Sequence, residues 1–570
     1  MNPHQSSEPS PSDSIAVEPL TQKQQDKSDE LFPIVGIAAS AGGLEAFTQL
    51  LNHLPIDTGM AFVLIQHLDP NQKSLLSDIL AKETEMPVRE VENGMVVEPN
   101  QVYVIPPNAK MTLAQGVLQL IAREKIHGKY MPADAFFASL AAERGSKAIS
   151  VVLSGSNGDG AQGSEAIKAA GGITFAQCEE SAQFSEMPNT AIATGDVDFI
   201  LPPRKIAEEL ALIARHPNVT SPSSQAVEPL SKSETALPTI FAMLLTTTGV
   251  DFTHYKQTTL NRRIARRIVL YNLESLEDYV QYLQNHPDEV QALYQEILIS
   301  VTSFFRDPEA YQALKERVFP AIAKGKSVDE PIRIWVPGCA TGEEAYSIAI
   351  SLMEFLENVL PKRAIQIFAT DINETAIEKA RLGIYKPSQI VDVSPERLRR
   401  FFNQVESGYQ ISKPIRKVCV FAKQNLISEP PFSNLDIISC RNILIYFESV
   451  LQKQVMPIFH YSLKPTGFLM LGIAESAGEF SNLFTLADRK NNIYTKKLIP
   501  TPLNFNFASS NYPVAKIAAD KSMSHKTWDI TDLNKQADQI LLNRYAPVGV
   551  MINDNQMCIR DSHCGDRRQC

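Results

Sequence analysis

Nowhere in its 570 residues does the chain hold a run of 18 or more apolar residues, and Met1 to Glu30 carry neither a basic flank nor an apolar core. Neither a membrane span nor a secretory leader is expected, and the expected location is cytoplasmic. Positive charge is also scarce. Lys and Arg number 54 against 64 Asp and Glu, a formal net charge of −10, so no broad nucleic-acid surface is expected and any basic face has to be local. Cysteine is sparse, with seven in all. Cys178, Cys339, Cys419 and Cys440 sit among apolar or strand-like neighbours, which suits reduced thiols. Cys558, His563, Cys564 and Cys570 crowd the terminal CIRDSHCGDRRQC, but no hydrophobic pattern surrounds them. No metal site is expected there, and the tail reads as an incomplete or non-native end. Internal repeats are missing too.

What is present is length enough for three or more domains. Residues 1–31, rich in Ser, Pro, Gln and acidic groups, read as a disordered arm. Over 32–215 strand-like runs alternate with helical patterns: FPIVGIAAS, LEAFTQLLNHL, MAFVLIQHL, KAISVVLSG, AQGSEAIKAAG. Such alternation predicts a parallel sheet with crossover helices. The Ser- and Pro-rich stretch within 216–236 is a linker. Residues 237–294 read as a small all-helical domain, with Leu260, Ile264, Ile268 and Tyr271 on one stripe and Leu276, Val280 and Leu283 on another. A second α/β alternation fills 295–497, with PIRIWVPG, AIQIFATD, LDIISCRN and GFLMLGIAE as buried strands. A connector, 498–527, leads to a helix running into a strand within 528–570. The fold class is thus α/β multidomain.

In an open parallel sheet, ligands collect beyond the carboxyl ends of the strands. Three polar residues of the first unit stand there: Ser40 after PIVGIAA, His67 after AFVLIQ, and Asp159 in ISVVLSGSNGDG. Gly42 and Gly43 permit a sharp turn into the helix near Leu44, whose free amides would face an oxyanion. His67 would take the Ser40 proton, and Asp159 would fix the imidazole. Local rules leave plainer readings open: Ser40 as a helix N-cap, His67 as a structural histidine, Asp159 as a turn residue.

In the second α/β unit, IRIWVPGCATGEEAYS sets a tight turn, Gly338 to Gly342, between a strand and a helix. Its small residues let a ligand approach the backbone at a helix N-terminus. Asp371 follows the next strand, where a carboxylate can hold two ribose hydroxyls. The loop lacks GxGxxG, and Glu343 and Glu344 would repel a pyrophosphate, so a dinucleotide fits poorly. S-adenosylmethionine, an adenosine ligand with a sulfonium cation, fits better.

GIAASAGGLEAF, QHLDP and LSGSNGDGAQG resemble the catalytic domain of CheB-type protein-glutamate methylesterases over about Phe32 to Arg215. The resemblance implies catalytic roles for Ser40, His67 and Asp159. One departure is Asn157, where the family pattern Gly-x-Gly-x-Asp-Gly has its second glycine; Asn tolerates left-handed backbone. The receiver domain that precedes this catalytic domain in the regulated enzyme is also absent from the sequence.

From Leu237 to Lys497 the chain resembles CheR-type chemoreceptor glutamate methyltransferases, through VTSFFRDPE, GCATGEEAYS, FATDIN, FAKQNL and SCRNILIYF. That resemblance implies S-adenosylmethionine as cofactor, held by Thr302, Arg306, Glu343, Asp371, Asn425, Leu426 and Asn442, with Arg306 and Tyr446 nearest the transferred methyl. Without it, Arg306 reads as a salt-bridge partner of Asp307 or another carboxylate, and Tyr446 as core. Ser300 stands where the family often has Asn and is left out of the site. Arg262, Arg263, Arg266 and Arg267 pair at i,i+4 opposite the apolar stripe, by default a solvated face; the resemblance implies a docking surface there, since the family's helical domain approaches receptor methylation helices. GYQISKPIRKVCVF is expected to form a small hairpin, and TDLNKQADQILLNRYAPVGVMIND resembles the lead into a PAS sensor domain.

The implied function is bifunctional: one unit methylates glutamates of chemoreceptor-like cytoplasmic helices, the other hydrolyses the esters. The implied partners are those helices and downstream sensor or kinase domains, with no nucleic acid and no membrane insertion. A non-catalytic scaffold that keeps both folds for receptor binding is the alternative. A methyltransferase acting on small molecules or RNA is disfavoured by the attached esterase unit.

Overall fold

The computed structural model describes residues 31–67, 75–122, 130–217, 235–298, 302–327, 330–357, 363–406 and 408–501, with two short terminal strands, Val550–Ile552 and Cys558–Asp561. The arm before Leu31, Ser300, most of the PAS-like stretch and the cysteine-rich end apart from Cys558–Asp561 lie outside the described residues. No helix among the described residues is long and apolar enough to cross a membrane.

The first unit is built on a seven-stranded sheet whose neighbouring strands are all parallel. Its strands are β1 (Ile34–Ala39), β2 (Ala61–Gln66), β3 (Val88–Glu90), β5 (Val102–Val104), β8 (Ala148–Val152), β9 (Ile173–Gln177) and β10 (Phe199–Leu201), ordered β10-β9-β8-β1-β2-β5-β3. A separate antiparallel sheet is made by β4 (Met95–Val96), β6 (Ala109–Ala114) and β7 (Val117–Ala122). β1 is apolar along its whole length because both faces are covered. Val35, Ile37 and Ala39 enter one core cluster, and Ile34 and Ala38 the other, the alternation a pleated strand requires. Gly36 supplies room where a Cβ would lie 2.7 Å from the Phe137 ring. The covering helices include α1 (Gly43–Leu51), α2 (Leu76–Leu80), α3 (Pro132–Arg144), α4 (Ala161–Ala169), α5 (Glu186–Ile192) and α6 (Pro203–Arg215).

Four helices make the middle unit: α7 (Ala236–Thr248), α8 (Gln257–Leu270), α9 (Leu276–Asn285) and α10 (Pro287–Ile297). Leu260, Ile264, Ile268, Leu276 and Leu283 are buried in their shared core, while Tyr271 is exposed.

The arginines of α8 correct an expectation. Instead of forming an open docking face, Arg263 and Arg266 are 2% and 3% exposed and grip the first unit. Arg263 donates to the carbonyls of Lys168, at 2.7 Å, and Ala169, the C-terminal end of α4. Arg266 donates to Gly172 O at 2.7 Å and pairs with Asp198 of the first unit and with Glu296 of its own. Arg262 packs against Gly171, and Arg267 pairs with Glu289. The physical reason is that the last carbonyls of a helix carry partial negative charge and lack partners, and α4 presents them to α8.

The third unit has a seven-stranded sheet in the order β16-β12-β11-β17-β18-β20-β19. Strands β11 (Ile332–Pro337), β12 (Ile365–Asp371), β16 (Cys419–Lys423), β17 (Leu435–Cys440) and β18 (Leu463–Leu471) run parallel; β19 (Phe484–Asp488) and β20 (Ile493–Lys496) are antiparallel additions at one edge. Helices α11 (Pro308–Ala313), α12 (Phe319–Lys324), α13 (Glu343–Leu356), α14 (Glu374–Leu382), α15 (Pro395–Phe401), α16 (Lys413–Val418) and α17 (Ser449–Ser462) accompany it. The expected hairpin takes different partners: GYQI is β15 (Gly408–Ile411), paired with β14 (Phe402–Val405) and β13 (Ile384–Tyr385), while KPIRKV is helix α16 and CVFAK joins the main sheet. Pro414 at the start of α16 suits a first helical turn and not a central strand.

Candidate active sites

Strand order reverses at β1, whose neighbours β2 and β8 carry the chain to opposite sides, so a crevice opens beyond its carboxyl end. The parallel register pairs Ala39 with Gln66, and the residues that follow, Ser40 and His67, leave the sheet side by side. Helix α1 has Gly42, not Ser40, as its N-cap, at φ 73° and with no side-chain cap bond. Three hydrogen bonds pin the Ser40 backbone: its N–H donates to Ser154 O at 2.9 Å, and its carbonyl accepts from Gly43 N–H at 3.0 Å and Gln66 Nε2 at 2.7 Å. Ser40 Oγ has no hydrogen-bond partner among the described residues, His67 included.

His67 and Asp159 are brought together, Nε2 lying 2.8 Å from Oδ2. Asp159 is fully buried and also accepts the backbone N–H groups of Ala133 and Asp134, each at 2.9 Å, in the first turn of α3. A helix N-terminus therefore supports its charge. Behind it, burial first and then the Asp159 charge push the Asp134 carboxyl up to about 7. Asp134 Oδ1 accepts from Gly163 N–H at 2.7 Å; its Oδ2 is buried without a hydrogen-bond partner. The arrangement gathers a serine hydroxyl, an imidazole and a buried carboxylate at one strand-end crevice, residue types that acyl transfer can use.

In the third unit the strand order reverses at β11, and a second cavity opens beyond its end. Gly338 (φ 63°) and Gly342 (φ 98°) form the turn between β11 and α13. A Cβ at Gly338 would lie 1.8 Å from Ile443 Cδ1, so the turn needs glycine on both conformational and steric grounds. Of the residues expected around a cofactor, Thr302, Arg306, Asp371, Asn425, Leu426, Asn442 and Tyr446 line this cavity. Glu343 does not. Its carboxylate turns to the Thr341 hydroxyl at 2.7 and 2.9 Å, and burial pushes it up to about 7. The adjacent Glu344 lines the cavity, accepting from Ser439 Oγ at 2.6 Å. Consecutive helical residues face about 100° apart, and α13 turns its second residue, not its first, toward the opening.

Asp371 Oδ2 accepts from Ala340 N–H and Oδ1 from Asn373 N–H, both at 2.8 Å, and burial raises its pKa. Arg306 is exposed and makes no ion pair among the described residues; Asp307 pairs with Arg441, which also donates to the Arg306 carbonyl at 2.9 Å. The Tyr446 phenol is raised by burial and opposed by Arg263, Arg306 and Arg262. Sequence reasoning missed Tyr255 and Lys256, which the helical unit adds to the cavity wall. Lys256 N–H donates to Tyr446 O at 2.9 Å, and Glu448 N–H to His254 O at 3.0 Å, so the two segments close the cavity as a short antiparallel pair. Glu475 was missed as well. Its carboxylate accepts the N–H groups of Asn442, Ile443 and Gly472 at 2.7–2.8 Å and so fixes the turn that bears Asn442 and Tyr446. A lone carboxylate just after the buried run GFLMLGIA was the signal for it.

A half-buried acid at a strand end, a glycine turn held close to the ligand space and an apolar wall suit an adenosine ligand, and Glu344 beside the turn disfavours a pyrophosphate. No group of three or more His, Cys, Asp or Glu among the described residues could hold a metal ion.

Family models match in three places: the CheB methylesterase over residues 35–210, the all-alpha domain of CheR methyltransferase over 235–298, and its SAM-binding domain over 300–493. An uncharacterized 104.1 kDa protein in the hypE 3′ region of Rhodobacter capsulatus is 35% identical over 439 residues, 74% of this chain and 46% of that protein. The chain thus spans about half the length of that relative. Chemotaxis protein methyltransferase 2 of Vibrio cholerae is 32% identical over 42% of this chain and 84% of its own length. Among solved structures, the CheB methylesterase catalytic domain of Thermotoga maritima is 31% identical over 32% of this chain and 97% of that chain, with a TM-score of 0.30. The third unit is therefore an S-adenosylmethionine-binding domain, and the chain belongs to the CheR chemotaxis methyltransferase family, with a CheB methylesterase domain joined ahead of it.

Proposed function

We propose that the protein installs methyl esters on glutamate side chains of chemoreceptor-like helices and also hydrolyses them, each reaction in its own crevice. The observation that carries this reading is two separate crevices, each at the reversal point of strand order in its own sheet, with Ser40, His67 and Asp159 at one and Asp371, Arg306 and Tyr446 at the other.

In the esterase, Ser40 Oγ attacks the ester carbonyl as its proton passes to His67. The oxyanion meets the Ala41 and Gly42 N–H groups, which have no hydrogen-bond partner among the described residues. Methanol leaves with the proton from His67, and water then frees the glutamate from the acyl-enzyme. In the methyltransferase, bound S-adenosylmethionine supplies an electrophilic methyl on a sulfonium. Asp371, Thr302, Asn425, Leu426 and Asn442 hold the nucleoside and its amino-acid arm. The acceptor glutamate is already an anion near neutral pH, so Arg306 and Tyr446 need only orient it and exclude water. The proposed setting is the cytoplasm, supported by four unpaired cysteines among the described residues, three of them buried.

The test supplies methyl-labelled S-adenosylmethionine and receptor cytoplasmic fragments to the intact chain, Ser40→Ala and Asp371→Ala. Base-labile label should accumulate most in Ser40→Ala and be absent in Asp371→Ala. Receptor binding without labelling by any variant would sink the enzymatic reading.

A further inference from the structure

Both ring nitrogens of His67 are engaged, and the partners reveal which carries the proton. Nε2 lies 2.8 Å from Asp159 Oδ2, and Nδ1 lies 2.9 Å from Asn157 Nδ2. The Asn157 carboxamide cannot be turned over without loss, because its Oδ1 already accepts the Asp159 backbone N–H at 3.0 Å. Its NH2 group is therefore the donor toward His67, and a donor requires a lone pair opposite it. Nδ1 holds that lone pair, and Nε2 holds the proton that is donated to Asp159.

A consequence follows for proton transfer. With Nε2 committed to Asp159, the only basic lone pair on the ring is at Nδ1, and the Asn157 amide occupies it. An Nδ1–H formed by taking the Ser40 proton would confront that NH2 group, donor against donor. Ser40 Oγ itself has no hydrogen-bond partner among the described residues. The ground state therefore holds the base in the right tautomer but with its reactive nitrogen covered.

We propose that Asn157 is a positioning residue of the esterase site: its carboxamide sets the His67 tautomer and covers Nδ1, and it must swing aside before Ser40 can give up its proton. This rests on the reading of Ser40, His67 and Asp159 as nucleophile, base and orienting acid. The balance of the step is unchanged. The Oγ–H proton moves to Nδ1 as the Oγ–carbonyl bond forms, and the proton later leaves with methanol.

The experiment compares the full chain with Asn157→Gly, Asn157→Asp and Ser40→Ala, by steady-state hydrolysis of methylated receptor fragments. A second reading is the 15N spectrum of the histidine rings, with His67 assigned through His67→Gln. In the parent protein His67 should show a protonated Nε2 and an unprotonated Nδ1. Asn157→Gly should raise kcat about fivefold at unchanged KM, the rate equivalent of one released hydrogen bond, and should shift the Nδ1 resonance. Asn157→Asp is isosteric but offers only acceptors; it should place a proton on Nδ1 and lower kcat. An unchanged or lower kcat in Asn157→Gly, or an Nδ1 resonance indifferent to both substitutions, overturns the proposal. The two readings separate at Ser40→Ala: undiminished hydrolysis in that variant would remove the triad itself, whereas lost hydrolysis with indifferent Asn157 variants removes only the role given to Asn157.

Discussion

Single side chains in this protein owe their behaviour to who surrounds them, and Asp134 is the clearest case. Its carboxyl, pushed up to about 7 by burial and by Asp159, stays protonated in the folded chain, whereas the unfolded chain releases that proton near 3.8. The native state binds the extra proton, so this group's contribution to stability is complete below 3.8, declines as pH rises and is gone above about 7. Asp134→Asn keeps an acceptor for Gly163 N–H and cannot ionise. It should melt about 2–4 °C higher than the parent at pH 8 and lose part of the parent's decline between about pH 5 and 7, as differential scanning fluorimetry would record. Glu475 owes its role to its neighbours' N–H groups, three of which its carboxylate accepts. Glu475→Gln sets an NH2 against one or more of those donors, a loss of about 2 kcal/mol. Cofactor affinity should fall at least about tenfold by titration calorimetry, with ester hydrolysis untouched. At this scale the sequence was legible where residue type and position coincide, as at Ser40 and Asp371. It was not legible at Glu343 and Glu344, where two identical neighbours differ only in helix phase, nor at Asn157, whose partner lies 90 residues away.

Among the elements, strands and turns were the most readable. The runs chosen as buried strands became β1, β2, β8, β11, β12, β17 and β18, because continuous apolar stretches between turn residues have few other places to go. The Gly338 to Gly342 turn was readable for the same kind of reason, and its test is steric. Gly338→Ala asks an L-residue to hold φ 63° and drives a methyl group into Ile443, so S-adenosylmethionine binding should drop more than about tenfold in calorimetry while Ser40-dependent hydrolysis continues. Helix α8 was half legible. Its apolar stripe follows the 3.6-residue period into the helical core, but periodicity says nothing about what meets the other face. Four arginines on a helix look alike whether they face water, a receptor or the carbonyl end of another helix. The short pairing of His254 to Lys256 with Tyr446 to Glu448 joins segments nearly 200 residues apart and leaves no local signature at all.

Across the whole molecule, the contact between the esterase domain and the helical domain is made by buried charge. Arg266→Ala removes the buried cation that Asp198 and Glu296 share and leaves them only Lys168 and Arg263 respectively, a loss of about 3 kcal/mol. Calorimetry should then show the unfolding of the esterase domain separating from that of the rest, where the parent unfolds with the two coupled. No local pattern announces this contact, since a pairing across chain separations of 68 to 95 residues has no period to follow.

That contact has a consequence for how the two reactions meet. Helix α8 places Thr259 and Leu260 in the wall of the cofactor cavity and, one turn further on, Arg263 on the last carbonyls of α4, whose first residue stands just after Asp159. The local concentration at which a freshly made ester encounters the esterase crevice is therefore set by a packed helix and not by the reach of a tether. Lengthening the chain between residues 218 and 234 with a flexible insert should leave methanol release per methyl transferred unchanged, whereas Arg263→Ala with Arg266→Ala should alter it. On the function proposed above, a fixed separation of this kind would make the distance between two glutamates on one receptor helix decide which ester is cleaved.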